Sequence, residues 1–99
     1  MFMIKNGGGA IYINKGNCNI TKTFFLNNLA TGETGKGGAI SIGQGNLTLK
    51  NSEFVNNTAN TTSGGAIYIK GFLNMTYCIL LNNIVKSGIN KSIKIKTLE

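Results

Sequence analysis

The chain has 99 residues, of which 41% are hydrophobic and 13% are charged, so its composition predicts a folded protein and argues against a disordered one. All ten basic residues are lysines, and the net charge is +7. The lysines are scattered from Lys5 to Lys96, whereas nucleic-acid binding clusters basic residues on one face, so no nucleic-acid partner is expected. Histidine, aspartate and arginine are absent from the sequence, which excludes a Ser-His-Asp triad and an arginine clamp.

The apolar segments and the cysteines exclude further classes of protein. The longest apolar run, residues 75–81, is far shorter than the ~18 residues of a membrane helix, so no membrane insertion is expected. Residues 1–8 lack the basic leader and apolar core of a secretion signal, so no signal peptide is recognised in this chain. Cys18 and Cys78 have neither a C-x-x-C spacing nor a histidine partner, and we expect no metal and no cofactor.

Three short strand-like pieces follow one another at the start of the chain and then recur. The first, residues 8–13 (GGAIYI), begins with a glycine pair; the second, residues 18–21 (CNIT), alternates; the third, residues 25–28 (FLNN), ends in two asparagines. The corresponding pieces lie at 37–42, 47–50 and 54–57, and again at 64–69, 73–76 and 80–83. Alternation with a period of two, interrupted by Gly and Asn, predicts strands and not helices.

The repeat predicts the architecture. Its glycine pairs recur at spacings of 29 and 27 residues, and one such unit cannot bury its own apolar face, whereas stacked copies form parallel ladders ~4.8 Å apart. We therefore predict an all-β fold, a right-handed parallel β-helix (solenoid) of about three coils, of the pectin-lyase-like kind. The predicted inward ladders are Ile11/Ile40/Ile67, Ile13/Ile42/Ile69, Cys18/Leu47/Leu73, Ile20/Leu49/Met75 and Phe25/Phe54/Leu80.

Glycine and asparagine are expected at the corners of the coils. The paired glycines suit positive φ or close packing between coils. Asn28, Asn57 and Asn83 are predicted to form turns and a ladder of amide hydrogen bonds.

The domain organisation follows from where the repeat stops. Residues 1–83 are predicted to form three coils, with repeats starting near residues 8, 37 and 64. Residues 84–99 leave the repeat, although residues 92–98 alternate like one further strand. This segment is predicted to be either a partial coil or a C-terminal cap that is blunted by lysines.

The combination of Gly-Gly-Ala-Ile and Phe-x-x-Asn, once each in every repeat, resembles the repeats of the chlamydial polymorphic outer membrane proteins and of the adhesin-like surface proteins of methanogenic archaea. The resemblance covers residues 8–83, with Leu80 in place of the aromatic residue in the third copy. It implies a cell-surface or extracellular β-helix used in adhesion, and it gives no catalytic residues. Members of these families are long exported proteins, so this chain is expected to be a fragment of a longer one.

The predicted function is therefore a non-enzymatic, adhesin-like repeat module that binds a glycan or a cell-surface protein. Two alternatives remain open: a fragment of a carbohydrate-active β-helix enzyme, and a structural spacer without a ligand. Glycoside hydrolysis needs two carboxyl groups ~5–10 Å apart, but Glu53 is predicted to align with Phe24 and Ile79, and Glu33 lies in the long connection 30–36. That connection fails as a phosphate-binding loop because glycine follows Lys36.

Candidate ligand-facing residues lie on the outer side of the first strand of each repeat: Tyr12, Ser41 and Tyr68. Exposed aromatic rings stack on sugars, although a tyrosine on a strand also serves cross-strand packing. Polar rows such as Asn19, Thr48 and Asn74 offer repeated weak hydrogen bonds to glycans, and they also resemble any solvated sheet face. Residues 7–13 are predicted to form an uncharged edge strand, so isolated chains are expected to self-associate through the open ends of the β-helix.

Overall fold

The structure, a computed structural model, describes residues 3–4, 9–31, 37–60, 64–86 and 93–96. These residues form twelve β-strands. In chain order they are β1 (Met3–Ile4), β2 (Ile11–Ile13), β3 (Cys18–Thr21), β4 (Phe24–Leu26), β5 (Leu29–Ala30), β6 (Ile40–Lys50), β7 (Glu53–Val55), β8 (Thr58–Ala59), β9 (Ile67–Thr76), β10 (Ile79–Leu81), β11 (Ile84–Val85) and β12 (Ile93–Lys96).

The strands form three parallel sheets that the chain visits in a fixed cycle. The short sheet has the order β1-β5-β8-β11, and the side sheet has the order β4-β7-β10. The broad sheet has the order β2-β6-β9-β12, with β3 also paired to β6. Because every circuit passes through the broad, side and short sheets in that order, each circuit is one coil. The predicted parallel β-helix of about three coils is confirmed.

The register of the coils is the predicted one. Ile11 pairs with Ile40 and Ile40 with Ile67, and the other four inward ladders also align as expected. The rings of Phe25 and Phe54 stack with centroids 4.5 Å apart. Among the described residues, the largest fully buried apolar side chains are those of Ile40, Ile42, Leu47, Leu49, Phe54, Ile67 and Ile69.

Glycines act at two places in the second and third coils. Gly37 and Gly64, at the entry to the broad sheet, have φ of 68° and 63°, as expected for corner glycines. Gly45 lies inside β6 with φ of 152° and pairs with Gly71, and a Cβ on Gly45 would meet the backbone oxygen of Gly16. This second ladder bends the broad sheet, and the prediction of two separate strands in each repeat missed it: β6 and β9 run through the bend.

The asparagine prediction is right about the ladder and wrong about the turn. Asn28 donates from its backbone N–H and its Nδ2 to Oδ1 of Asn57, at 3.0 and 2.9 Å, and Asn57 donates in the same way to Asn83, at 3.0 and 2.8 Å. All three are buried. At this corner, between the side sheet and the short sheet, the residues with left-handed φ are the preceding asparagines, Asn27, Asn56 and Asn82. The side-chain amide of the inward asparagine is used in the ladder, so the exposed asparagine before it adopts the positive φ.

The strands after residue 83 continue the stack. β11 pairs with β8, and β12 pairs with β9 so that Ile93 aligns with Ile67. The division of the chain at residue 83 stays a prediction. Over the described ranges, no helix has the length and apolar character needed to cross a lipid bilayer.

Candidate ligand-binding face

The outer surface of the broad sheet beyond its glycine bend carries two polar ladders. Asn19, Thr48 and Asn74 are in register, and the next outward ladder follows two residues later in each strand. We call these two ladders the polar face; its members are Asn19, Thr21, Thr48, Lys50, Asn74 and Thr76. Successive side chains in a strand point to opposite sides. Of the intervening residues, Leu49 is buried in the core, and Ile20 and Met75 are partly buried and pack against it, so the same alternation fixes which side chains face outward.

At the corner that follows the polar face, side chains donate hydrogen bonds to the backbone at the end of each strand of the face. Thr23 Oγ1 donates to the carbonyl oxygen of Thr21 at 2.8 Å, and Ser52 Oγ donates to that of Lys50 at 3.0 Å. In the third coil the corresponding donor is Cys78 Sγ, 3.5 Å from the carbonyl oxygen of Thr76. Each donor lies two residues after its acceptor, so these bonds fix the backbone from which the outer ladder projects.

A depression of about 250 Å³ lies within the polar face. It is lined by Asn19, Ile20, Thr21, Thr48 and Lys50. Amide and hydroxyl groups both donate and accept hydrogen bonds, and the Lys50 ammonium adds donors with a positive charge. This set suits the hydroxyl groups of a sugar and a carboxylate or sulfate attached to one. None of the lining residues is a carboxylic acid, so the depression itself lacks the two carboxyl groups that glycoside hydrolysis needs.

The predicted ligand-facing residues share one ladder but differ in exposure. Tyr12 pairs with Ser41, and Ser41 pairs with Tyr68. The exposed fraction is 45% for Tyr12, 4% for Ser41 and 9% for Tyr68. The ladder is therefore no continuous aromatic platform. The ligand-facing role stays a prediction, which exposure supports for Tyr12 alone of the three.

Glu53, which precedes Phe54 of the Phe25/Phe54/Leu80 ladder, lies where the repeat alignment predicted it. Glu53 pairs with Phe24 on one side and with Ile79 on the other. Its side chain lies on the outer face of the side sheet, away from the polar face. Glu33 and the glycine-rich connection that contains it lie outside the described residues.

Neither cysteine forms part of a metal site that the structure describes. Cys18 and Cys78 are free, and no three residues with metal-binding side chains cluster within the described ranges. Burial raises the pKa of the Cys18 thiol, so this group stays protonated at neutral pH. It packs against the core as a small apolar side chain.

The fold and its exposed polar ladders define a β-helical repeat module. Residues 22–43 and 51–70 match the family model of the Chlamydia polymorphic membrane protein (Chlamydia_PMP) repeat. Each matched stretch begins at the corner before the side sheet and ends in the broad sheet, so it joins a Phe-x-x-Asn motif to the glycine pair that follows it. The predicted resemblance to the chlamydial repeats is confirmed, whereas the archaeal resemblance stays a prediction. No curated protein and no solved structure is similar enough to count as a match.

Proposed function

We propose that this chain is a non-enzymatic, adhesin-like surface module that binds glycans through its polar face. The match to a repeat of a Chlamydia membrane protein supports a location at the cell surface or outside the cell. The depression lined by Asn19, Thr48 and Lys50 carries the proposal, because it gathers neutral and cationic hydrogen-bonding groups on a rigid sheet.

The size and the repetition of the face set the mode of binding. A cavity of about 250 Å³ is smaller than the ~300–1,000 Å³ of sites that enclose drug-sized ligands, so it suits one sugar unit held at the surface. Each coil repeats the outward pattern, so a chain of sugars meets several equivalent positions. Binding is then weak at each site and gains strength from multivalency.

Binding without turnover follows from the placement of the titratable groups. Lys50 is the one titratable residue that lines the depression, and Glu53 lies on another sheet. Among the described residues no second carboxylate accompanies Glu53, whereas glycoside hydrolysis needs two carboxyl groups ~5–10 Å apart. We therefore expect no release of reducing ends from pectin, polygalacturonate, chitin or peptidoglycan.

A glycan array, followed by calorimetry on the strongest hit, tests the proposal. The double variant Asn19→Ala with Thr48→Ala is expected to weaken binding roughly tenfold, because it removes hydrogen-bonding groups without touching the core. Thr58→Ala, an outward threonine on the short sheet, is the matched control and is expected to bind normally. Loss of binding in Lys50→Gln, together with strong salt dependence, would identify the glycan as acidic.

Three outcomes would contradict the proposal. Unchanged binding in the double variant would move the site elsewhere, and no binding to any glycan would favour the spacer. Reducing ends that appear with the wild type and disappear with Glu33→Gln plus Glu53→Gln would establish an enzyme.

A further inference from the structure

The outer faces of the side and short sheets carry apolar side chains where a solvated sheet carries polar ones. Phe24, Leu26 and Leu29 point outward in the first coil, and Ile79, Leu81 and Ile84 occupy the same positions in the third. With Val55 of the middle coil, these seven residues form what we call the apolar wall; the other two outward positions of the middle coil are Glu53 and Thr58. Ordinary strand alternation would place hydrophilic residues here, opposite the buried ladder of Phe25 and Phe54.

The wall is large enough to be a binding surface. Five of its side chains expose between 39% and 60% of their surface, which is on the order of 400–500 Å² for side chains of ~150–200 Å². The largest exposed apolar patch on a soluble monomer is typically ~300–600 Å² and is often functional. The area is about half of the ~800 Å² that each partner buries in a standard protein–protein interface. A single helix fits this size better than a whole domain does.

Glu53 lies in the middle of the wall and restricts what can cover it. Its ladder neighbours are Phe24 and Ile79, and the next outward residue on its strand is Val55. In the part of the chain that the structure describes, Glu53 makes no ion pair. An apolar cover would take this carboxylate out of water, which is costly unless the cover brings a cation to it.

Because Glu53 needs a cation opposite it, a second copy of the chain is a poor partner for the apolar wall. Two walls packed about a two-fold axis present the same patch to each other. Each Glu53 would then face either the other Glu53 or the apolar residues around it. The net charge of +7 on each copy adds repulsion. The carboxylate therefore selects against pairing of the wall with itself.

The strands beneath the centre of the apolar wall are already paired on both sides, so a partner cannot bind there by adding a strand. β7 hydrogen-bonds to β4 on one side and to β10 on the other, so the centre of the wall offers side chains and no free strand edge. An amphipathic helix docks on such a surface through an apolar stripe. We infer that the apolar wall binds an amphipathic helix of another protein whose apolar stripe contains one Lys or Arg opposite Glu53. This surface is separate from the polar face and does not depend on glycan binding.

Two synthetic helical peptides test the inference against the full chain by fluorescence anisotropy. They share a leucine stripe and differ at its central position, which is lysine in one and glutamate in the other. The lysine peptide is expected to bind roughly tenfold tighter or more to the wild type. Glu53→Lys is expected to reverse the preference. Equal binding of the two peptides to both proteins would overturn the inference.

A second pair of variants locates the binding surface. Leu81→Lys places a charge in the wall and is expected to weaken binding of the lysine peptide at least tenfold. Asn74→Lys adds the same charge on the polar face of the same coil and is expected to leave binding unchanged. Circular dichroism checks that both variants fold. Equal effects of the two would overturn the inference.

Two further measurements address other occupants. The first is co-sedimentation of the chain with phosphatidylcholine vesicles. If the wild type sediments with the vesicles and Leu81→Lys does not, the wall binds a lipid surface and the inference is overturned. The second is sedimentation velocity of the chain alone. If the wild type and Asn74→Lys form a dimer and Leu81→Lys is a monomer, the wall binds a second copy of the chain and the inference is overturned.

Discussion

Phe54 is the side chain on which the middle coil depends most. It is fully buried, its ring stacks on that of Phe25, and Leu80 follows in the same ladder. With an equivalent side chain on each side, the site cannot collapse when the ring is removed, so Phe54→Ala is expected to cost roughly 3–5 kcal/mol of unfolding free energy. This approaches the whole stability of a small domain, ~5–15 kcal/mol.

The adjacent Glu53 supplies the control for that prediction, because it belongs to the same strand and points outward. Glu53→Ala is expected to cost less than about 0.5 kcal/mol. Urea titration of the two variants measures both values. Equal unfolding midpoints would contradict the assignment of Phe54 to the core.

Asn57 is the residue with the most buried polar contacts in the asparagine ladder. Its Nδ2 donates to the carbonyl oxygen of Phe25 at 3.0 Å as well as to Asn83, and its Oδ1 accepts from Asn28. Asn57→Ala leaves several buried groups without partners at ~1–3 kcal/mol each, so a total loss above about 3 kcal/mol is expected. Asn60→Ala, at an exposed position of the same coil, is expected to change the urea midpoint little. Similar losses for both would argue against the ladder as a source of stability.

At the scale of the strands, the sequence pattern predicts inward residues well and corners less well. Side-chain alternation and the repeat together determine which residue of each coil stacks on which, and Ile40 and Leu47 lie in their predicted ladders. The pattern cannot tell which asparagine of a pair turns outward, since both tolerate positive φ. It also cannot show that Gly45 bends a continuous strand, because the glycines at 43 and 45 are equally consistent with a break between two strands.

The candidate sites illustrate the same limit. Asn19 and Thr48 were predictable as an outward polar row, because they alternate with inward residues. The burial of Tyr68 was not, since exposure depends on what lies across the sheet surface. The apolar wall was missed because Phe24, Phe25 and Leu26 form a continuous apolar run, in which alternation gives no signal. The outward side of such a run is visible only once the coils are stacked.

At the scale of the whole molecule, we expect the two ends of the stack to determine how chains associate. Within the described residues, β2, β3 and β4 pair on one side only, with β6 or β7. Their free N–H and C=O groups form an edge without a charged side chain among the described residues of β2. Such edges pair with other strands unless a cap or a charge blocks them. Isolated chains are therefore expected to associate through this end.

Sedimentation velocity over a range of concentrations tests this expectation. The wild type is expected to sediment faster as concentration rises, and Tyr12→Lys, on the exposed outer face of β2, is expected to reduce the effect by placing a charge at the edge. Tyr77→Lys is the matched control, because Tyr77 is highly exposed at a corner of the third coil, far from β2 along the stack. A monomer at every concentration would contradict the prediction. Equal effects of the two substitutions would assign the association to overall charge, because only a substitution at the edge acts on strand pairing.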